Sequence, residues 1–403
     1  MNSLGSLNSP PNFTMFECLP DAIVREILLR LPLKSIGKCM SVCKSLNTMI
    51  KSPTFISSHL KHSLLNPSLP LFLLRDFYPS YPSYKQNYSL WSSSFPKIAN
   101  LECSFWVPDS KFLGFVGALN GIVCLFDYDT DDIILLNPSI RRHLQLPKSI
   151  VPESFLLHPG CYVLGFGFDS KKNDFKVVRI YHPTSVFMIP PKVELYSLNE
   201  GHPWRVIDAS YIDLSIDYCS QQVFFHGNVY WLASQGTQSA PFQSNYILMF
   251  DMVEEKFNRM ELPNELVTVS IRNLVVTMIE GCLSLIENPS LEKTNCCIWM
   301  RKEESWTKMY NIYLEEGFQK LLGPSPTSEV LALPCPYGET VMSLHSFDLK
   351  SKEMRDLGIS RARKSLYASY FRESLVLLDQ ESNTATSFWS QDDESPEVER
   401  WWT

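Results

Sequence analysis

"FHGNVYWLA", residues 225–233, sets a glycine directly ahead of a run of branched and aromatic residues. The same order returns in "LNGIVCLFD" (119–127) and "IEGCLSLIE" (279–287). Glycine there lets the chain turn with φ > 0, and the apolar run after it reads as a strand. A second mark recurs beside the first: apolar residues, a small polar one, a turn, then a bulky side chain. Ser89 is followed by Phe95, Asn137 by His143, Ser197 by Trp204, Asp251 by Phe257, Met300 by Trp306 and Asp348 by Met354. Successive marks lie 48, 60, 54, 49 and 48 residues apart. Short hairpins repeating at about 50 residues are the signature of kelch-like propeller blades. Six marks predict about six blades, with a seventh left open by the boundaries. The bulky residues Trp204, Phe257 and Trp306 share one register, so they are expected to be buried between strands or blades. "PLFLLRDF" (70–77) and "ESLVLLD" (373–379) are expected to pair and close the ring, hiding its edges.

Ahead of this all-β region the texture is helical. In "CLPDAIVREILLRLPLKSI" (18–36), Ile23, Ile27 and Leu31 recur at i+4, with Val24 and Leu28 as a second row. The apolar stripe is wider than one face. Pro32 ends this helix, and a second helical pattern, "LKSIGKCMSVCKSLNTMI", stops before Pro53. Three short helices cannot bury that much apolar surface on themselves, so the leftover face reads as an interface.

Composition narrows the function. The chain has 403 residues, a net charge of −7 and 20% charged residues, which argues against a general nucleic-acid binder. The charge is uneven: residues 16–62 carry seven Lys/Arg against three Asp/Glu, whereas from Asp379 onward there are seven acids and one Arg. The basic start points to an acidic protein partner. No basic-then-apolar leader and no long apolar span are present, so no membrane is expected and the location is cytoplasmic and/or nuclear. Eleven cysteines form no CxxC pair, so no zinc module or disulfide framework is expected.

Catalytic signatures are missing as well. "GFGFDS" (165–170) lacks the third glycine of a dinucleotide loop, and there is no GxSxG, HExxH or P-loop lysine. The eight histidines are scattered, and Asp169 and Asp174 with Lys171 and Lys172 read as a solvated hairpin tip. No catalytic residue, metal or cofactor is expected.

Residues 19–60, "LPDAIVREILLRLPLKSIGKCMSVCKSLNTMIKSPTFISSHL", resemble an F-box. Leu19-Pro20, "EILLRLPLKSI", "SVCKS" and "MIKSPTF" match the family pattern in order and spacing, except that Leu46 stands where the family has Trp. "GIVCLFD", "LLNPSIRRHLQLP", "GFGFDSKKNDFKVVRI", "FFHGNVYWLA" and "ESLVLLD" resemble the plant F-box-associated domain, a β-propeller-type module. Pollen S-locus F-box proteins share this layout, as do many other plant members.

The resemblance implies docking onto the Skp-type adaptor of a cullin–RING ubiquitin ligase. The family contacts carry over to Leu19, Pro20, Ile23, Ile27, Leu31, Pro32, Leu33 and Ile36, with Val24, Leu28, Val42 and Leu46 facing inward. The domains expected are a disordered 1–15, an F-box of three helices at 16–62, a propeller at 63–380 and an acidic tail at 381–403. The chain then reads as a non-catalytic substrate receptor whose propeller holds an unknown protein target. The competing reading is a propeller enzyme or glycan-binding lectin with an unrelated helical cap.

Overall fold

The computed structural model describes residues 19–65, 71–80, 83–92, 97–101, 113–127, 130–151, 162–181, 191–200, 203–209, 215–216, 221–235, 244–289, 295–313, 318–323, 328–334, 341–362 and 367–377. The expected disordered start and acidic tail lie outside these residues, as does Phe95.

Four helices open the chain: α1 (Asp21–Leu29), α2 (Leu33–Met40), α3 (Lys44–Lys51) and α4 (Pro53–Leu65). Prolines start three of them. Pro20 and Pro32 precede the first turns of α1 and α2, and Pro53 is the first residue of α4. A proline there sacrifices no helical hydrogen bond, because the first N–H groups of a helix have no partner. This corrects the expected three helices: Pro53 starts a helix where it was read only as a stop. Ser52 caps the new helix, its Oγ accepting from the Phe55 N–H at 3.3 Å. The helix α1 lies against α4, and α3 lies against both α2 and α4. Their inner faces, Val24, Leu28, Ile36, Met40, Leu46, Ile50 and Phe55, are buried. No described helix is long and apolar enough to cross a membrane.

The remaining described residues form a β-propeller of six antiparallel sheets. In chain order, the first holds β1 (Leu71–Ser80), β2 (Ser83–Ser92) and β3 (Lys97–Leu101). The second holds β4 (Leu113–Leu119), β5 (Ile122–Asp127), β6 (Ile133–Asn137) and β7 (Arg142–Gln145). The third holds β8 (Tyr162–Asp169), β9 (Asp174–Tyr181), β10 (Lys192–Ser197) and β11 (Arg205–Ile207). The fourth has five: β12 (Ser215–Ile216), β13 (Val223–Phe225), β14 (Asn228–Gln235), β15 (Ser244–Asp251) and β16 (Lys256–Glu261). The fifth holds β17 (Leu274–Ile279), β18 (Cys282–Glu287), β19 (Asn295–Lys302) and β20 (Ser305–Tyr313). The sixth holds β21 (Phe318–Leu322), β22 (Glu329–Pro334), β23 (Val341–Asp348) and β24 (Met354–Ala362).

The chain then returns to the first sheet, where β25 (Tyr367–Phe371) pairs antiparallel with β1, Leu73 facing Ser369. The ends do pair, but "YASYF" is the closing strand and "ESLVLLD" is not. That segment runs on past the ladder, as described below.

Alternation along the strands explains why the sheets stack. Successive side chains point to opposite faces, and here both faces are buried, each against a different neighbour. On β14, Val229, Trp231 and Ala233 join the core shared with the third sheet, while Tyr230 and Leu232 join the core shared with the fifth. On β5, Val123 and Leu125 pack toward the first sheet and Cys124 and Phe126 toward the third. Ile279 and Ile286 meet Leu321 and Val330 of the sixth. The six marks at Ser89, Asn137, Ser197, Asp251, Met300 and Asp348 fall one per sheet, each on the third strand in the order of pairing. His226 and Gly227 both take positive φ (46° and 82°), the two-residue hairpin turn whose twist suits the strands it joins.

Candidate functional site

The helix α1 carries two apolar rows that the fold treats differently. Val24 and Leu28 point into the core at 2% and 0% exposure. Ile23 and Ile27, one residue earlier on each turn, stand out at 48% and 39%. Pro20, which starts α1, and Pro32, which starts α2, are exposed too, and Leu19, Leu31 and Leu33 are half-buried around them. Seven of the eight expected contact residues therefore retain surface. Ile36 does not: at 0% exposure it faces the α2–α3 side and belongs to the helical core. Val42, expected inward, is 50% exposed, because it lies in the turn after α2 ends at Met40. Leu46, which replaces the family Trp, is buried at 3% and still fills the core.

The charge around this face is basic. Partial burial, and then the neighbouring Lys38 one turn on, hold the Lys34 ammonium below its ordinary range. An acidic group brought against α2 would offset the Lys34–Lys38 repulsion. Arg25 is spent internally, donating through Nη2 to Ser58 Oγ at 2.6 Å and to the Thr54 carbonyl at 3.0 Å, which ties α1 to α4. Burial, with His62 nearby, pushes His59 down to about 4, so it is a neutral core residue at physiological pH.

In the propeller, buried polar side chains bind sheet to sheet. Lys176 on β9 is wholly buried and donates to Asp169 Oδ2 at 2.7 Å, to Glu255 Oε1 at 2.8 Å and to the Met252 carbonyl at 2.7 Å, joining the third sheet to the fourth. Glu194 on β10 accepts from Ser149 Oγ and the Ile150 N–H beyond β7, and from the Tyr181 hydroxyl, joining second to third. Asn288 accepts from the Leu321 N–H at 2.7 Å, joining fifth to sixth. This corrects the solvated hairpin tip. Lys171 and Lys172 are exposed, but Asp169 and Asp174 are each 1% exposed. Asp169 Oδ1 accepts from both following lysine N–H groups, and Asp174 accepts from Ser197 Oγ and the Asn199 N–H. A short carboxylate that can satisfy turn amides is drawn inward by them.

The Gly-x-Gly of "GFGFDS" has a packing role. A Cβ on Gly165 would fall 2.4 Å from Trp231 Cζ2, and one on Gly167 would fall 2.6 Å from Met252 Cε, so both glycines admit side chains of the fourth sheet. Among the described residues no three His, Cys, Asp or Glu gather as a metal site. The buried thiols of Cys124 and Cys296 are pushed up by desolvation, the opposite of an activated nucleophile.

The comparisons with known proteins divide the chain at the same place. Residues 16–58 match the family described as the F-box domain, and residues 77–384 the F-box associated beta propeller domain. The F-box protein CPR1 of Arabidopsis thaliana is 26% identical over 392 residues, covering 89% of this chain and 89% of that protein. Another F-box protein of that plant is 25% identical over 384 residues, covering 90% and 91%. An F-box/kelch-repeat protein of the same plant is 28% identical over 314 residues, covering 73% and 79%.

Proposed function

Because the chain belongs to the F-box proteins that carry an F-box-associated β-propeller domain, we propose that it is the substrate-recognition subunit of an SCF-type cullin–RING ubiquitin ligase. The F-box docks onto a Skp-type adaptor, and the propeller, read as a ring of six blades, holds the protein to be modified. The chain itself does no chemistry. It supplies proximity, which converts a bimolecular transfer into one between molecules already held together. Its place is the cytoplasm and/or the nucleus, where that machinery works.

One observation carries the reading: the outward row of α1, Ile23 and Ile27, keeps large apolar side chains in water beside Pro20 and Pro32. The inner row already satisfies the helical core, so stability of this unit does not require the outer one. A partner surface does. The docking face is Leu19, Pro20, Ile23, Ile27, Leu31, Pro32 and Leu33, with the Lys34–Lys38 pair on α2 meeting acidic groups of the adaptor.

The test is calorimetric titration of the full chain with a recombinant Skp-type adaptor. Ile27→Asp places an unpaired charge in a desolvated contact and should cost at least about 2 kcal/mol, roughly 30-fold in affinity. Raising the salt should weaken the wild-type complex modestly. Wild-type affinity in both Ile23→Asp and Ile27→Asp would overturn the reading, provided the variants keep the helical signal of the parent.

A further inference from the structure

The segment after the last strand, residues 372–377, has left the ladder yet remains buried. Ser374, Leu375, Val376 and Leu377 are 0%, 2%, 7% and 2% exposed. Its backbone is held by the second sheet: Asn137, itself 0% exposed, donates through Nδ2 to the Ser374 carbonyl at 2.9 Å and the Val376 carbonyl at 2.8 Å. The tip of the β4–β5 hairpin closes on it as well. A Cβ on Gly121 (φ +84°) would lie 2.3 Å from Ser374 Oγ and 2.7 Å from the Arg372 carbonyl oxygen.

The same six residues reach the F-box. Arg372 donates through Nη1 to the Ser63 carbonyl. Ser63 lies in the last turn of α4, where helix carbonyls have no intrahelical donor and a cation is favoured. Leu375, Val376 and Leu377 belong to one apolar cluster with Val24, Leu28, Leu46 and Phe55 of the helices.

We propose that residues 372–377 form a clasp that fixes the F-box in one orientation on the propeller, with Arg372 as its positioning residue. The inference rests on the receptor reading above for its purpose: a fixed F-box presents the bound target at one distance and angle to the conjugating machinery. Effective concentration at the acceptor lysine falls when such a linkage becomes loose. The clasp thereby ties the end of α4 to the second sheet through one short segment.

Pulsed electron-electron resonance on the full chain tests this, with spin labels carried by genetically encoded residues at Lys51 on α3 and Tyr313 on β20, both exposed. The wild type should give a single narrow distance distribution. Arg372→Ala should lose the single peak and spread to many distances, and Arg372→Lys, which keeps a donor and a charge at the helix end, should recover most of it. Hydrogen exchange in β14 and β15 should be as slow as in the parent, since neither strand touches the clasp. A distribution as narrow in Arg372→Ala as in the wild type would overturn the proposal. So would loss of β14–β15 protection in Arg372→Ala, which would make the residue part of the propeller core. The measurement needs no adaptor, so failure of the docking titration and failure of the clasp are read separately.

Discussion

Lys176 shows what a buried charge contributes here. Burial alone would raise the Asp169 carboxyl, but the Lys176 bond and the two turn N–H groups more than offset it and hold Asp169 below its usual range. Burial acts on Glu255 in the same way, and Arg205 and Lys176 together hold it down. Burial would lower Lys176, yet its two carboxylates hold it above its ordinary value. The depressed carboxylates contribute fully above an unfolded value of about 4 and lose that contribution as pH falls through their lower folded values. The raised lysine contributes fully below about 10 and is lost only as pH climbs through its higher folded value. Stability from this network is therefore complete across the neutral range. Lys176→Met should cost about 3–5 kcal/mol at pH 7, because it leaves Asp169 buried without its cation, while Glu255 keeps only Arg205. In the variant Asp169 keeps only the burial and the turn amides, so its pKa rises and acid should narrow the gap to wild type. Urea melts at pH 7 and pH 5 check this, and a gap that is constant or grows at pH 5 would sink it. The charges themselves were legible, but their burial was not. "SKKND" has the composition of a surface turn, and only the Lys176 and Arg179 positions inside the apolar run "FKVVRIY" carried a signal that charge had gone inside.

At the level of elements, repetition was the most legible feature because it follows from the ladder itself. In four of the six sheets a polar residue, Asn137, Ser197, Asp251 or Asp348, ends the third strand and starts a turn, and a bulky residue follows at the fourth. Asp251 accepts from the Val253 and Glu254 N–H groups, and Asp348 from those of Lys350 and Ser351, so the mark is a turn that caps its own hairpin. What spacing could not carry is depth. Trp204 and Phe257 are buried at 2% and 5%, but Trp306 is only half-buried, its Nε1 donating to the Glu261 carbonyl of the fourth sheet at 3.0 Å. Equal register does not give equal burial, because the side chains that cover each ring differ: Tyr196 and Arg179 lie against Trp204. Trp204→Ala should cost about 3–5 kcal/mol, since it also uncovers Arg179, whose guanidinium lies 4.9 Å from the ring centre. Trp306→Ala should cost less, below about 2 kcal/mol, as part of its face is already in water. Thermal melts of the two variants side by side decide it, and equal losses would mean that the half-exposed ring is as deeply held as the buried one. The helices follow the same lesson. Their period revealed two rows on α1, while Val42 turned outward because the break between α2 and α3 is set by hydrogen bonds around Ser41, not by the apolar count.

At the scale of the molecule, that "PLFLLRDF" closes the ring with the C-terminal side was foreseen from edge chemistry, and which C-terminal residues it meets was not. "ESLVLLD" is the more apolar segment and reads as the better strand, but periodicity cannot tell a paired strand from an extended segment buried some other way. "YASYF" supplies the hydrogen bonds to β1, and the segment after it supplies the Arg372 bond to the end of α4. Two jobs at the C-terminal side can therefore be separated by three nested truncations. Ending the chain after Leu377 should leave both the melting temperature and the narrow F-box orientation close to those of the parent. Ending it after Phe371 keeps β25 and removes the clasp. The ring should still unfold as one unit, with a loss of several kcal/mol, on the order of 1.5–3 for each of the three buried apolar side chains removed, added to the two carbonyls that Asn137 loses, and the F-box should swing free. Ending it after Ala362 takes away β25 as well, leaves the Leu71–Arg75 edge of β1 unpaired and lets one opened blade expose the next. That form should melt far lower, lose cooperativity and self-associate. Calorimetry of the three, with light scattering on the shortest, orders the two jobs. If the Phe371 truncation fails as badly as the Ala362 one, closure of the ring is not carried by the β1–β25 ladder, and the helical unit would be a structural cap of the propeller and not a handle mounted on it.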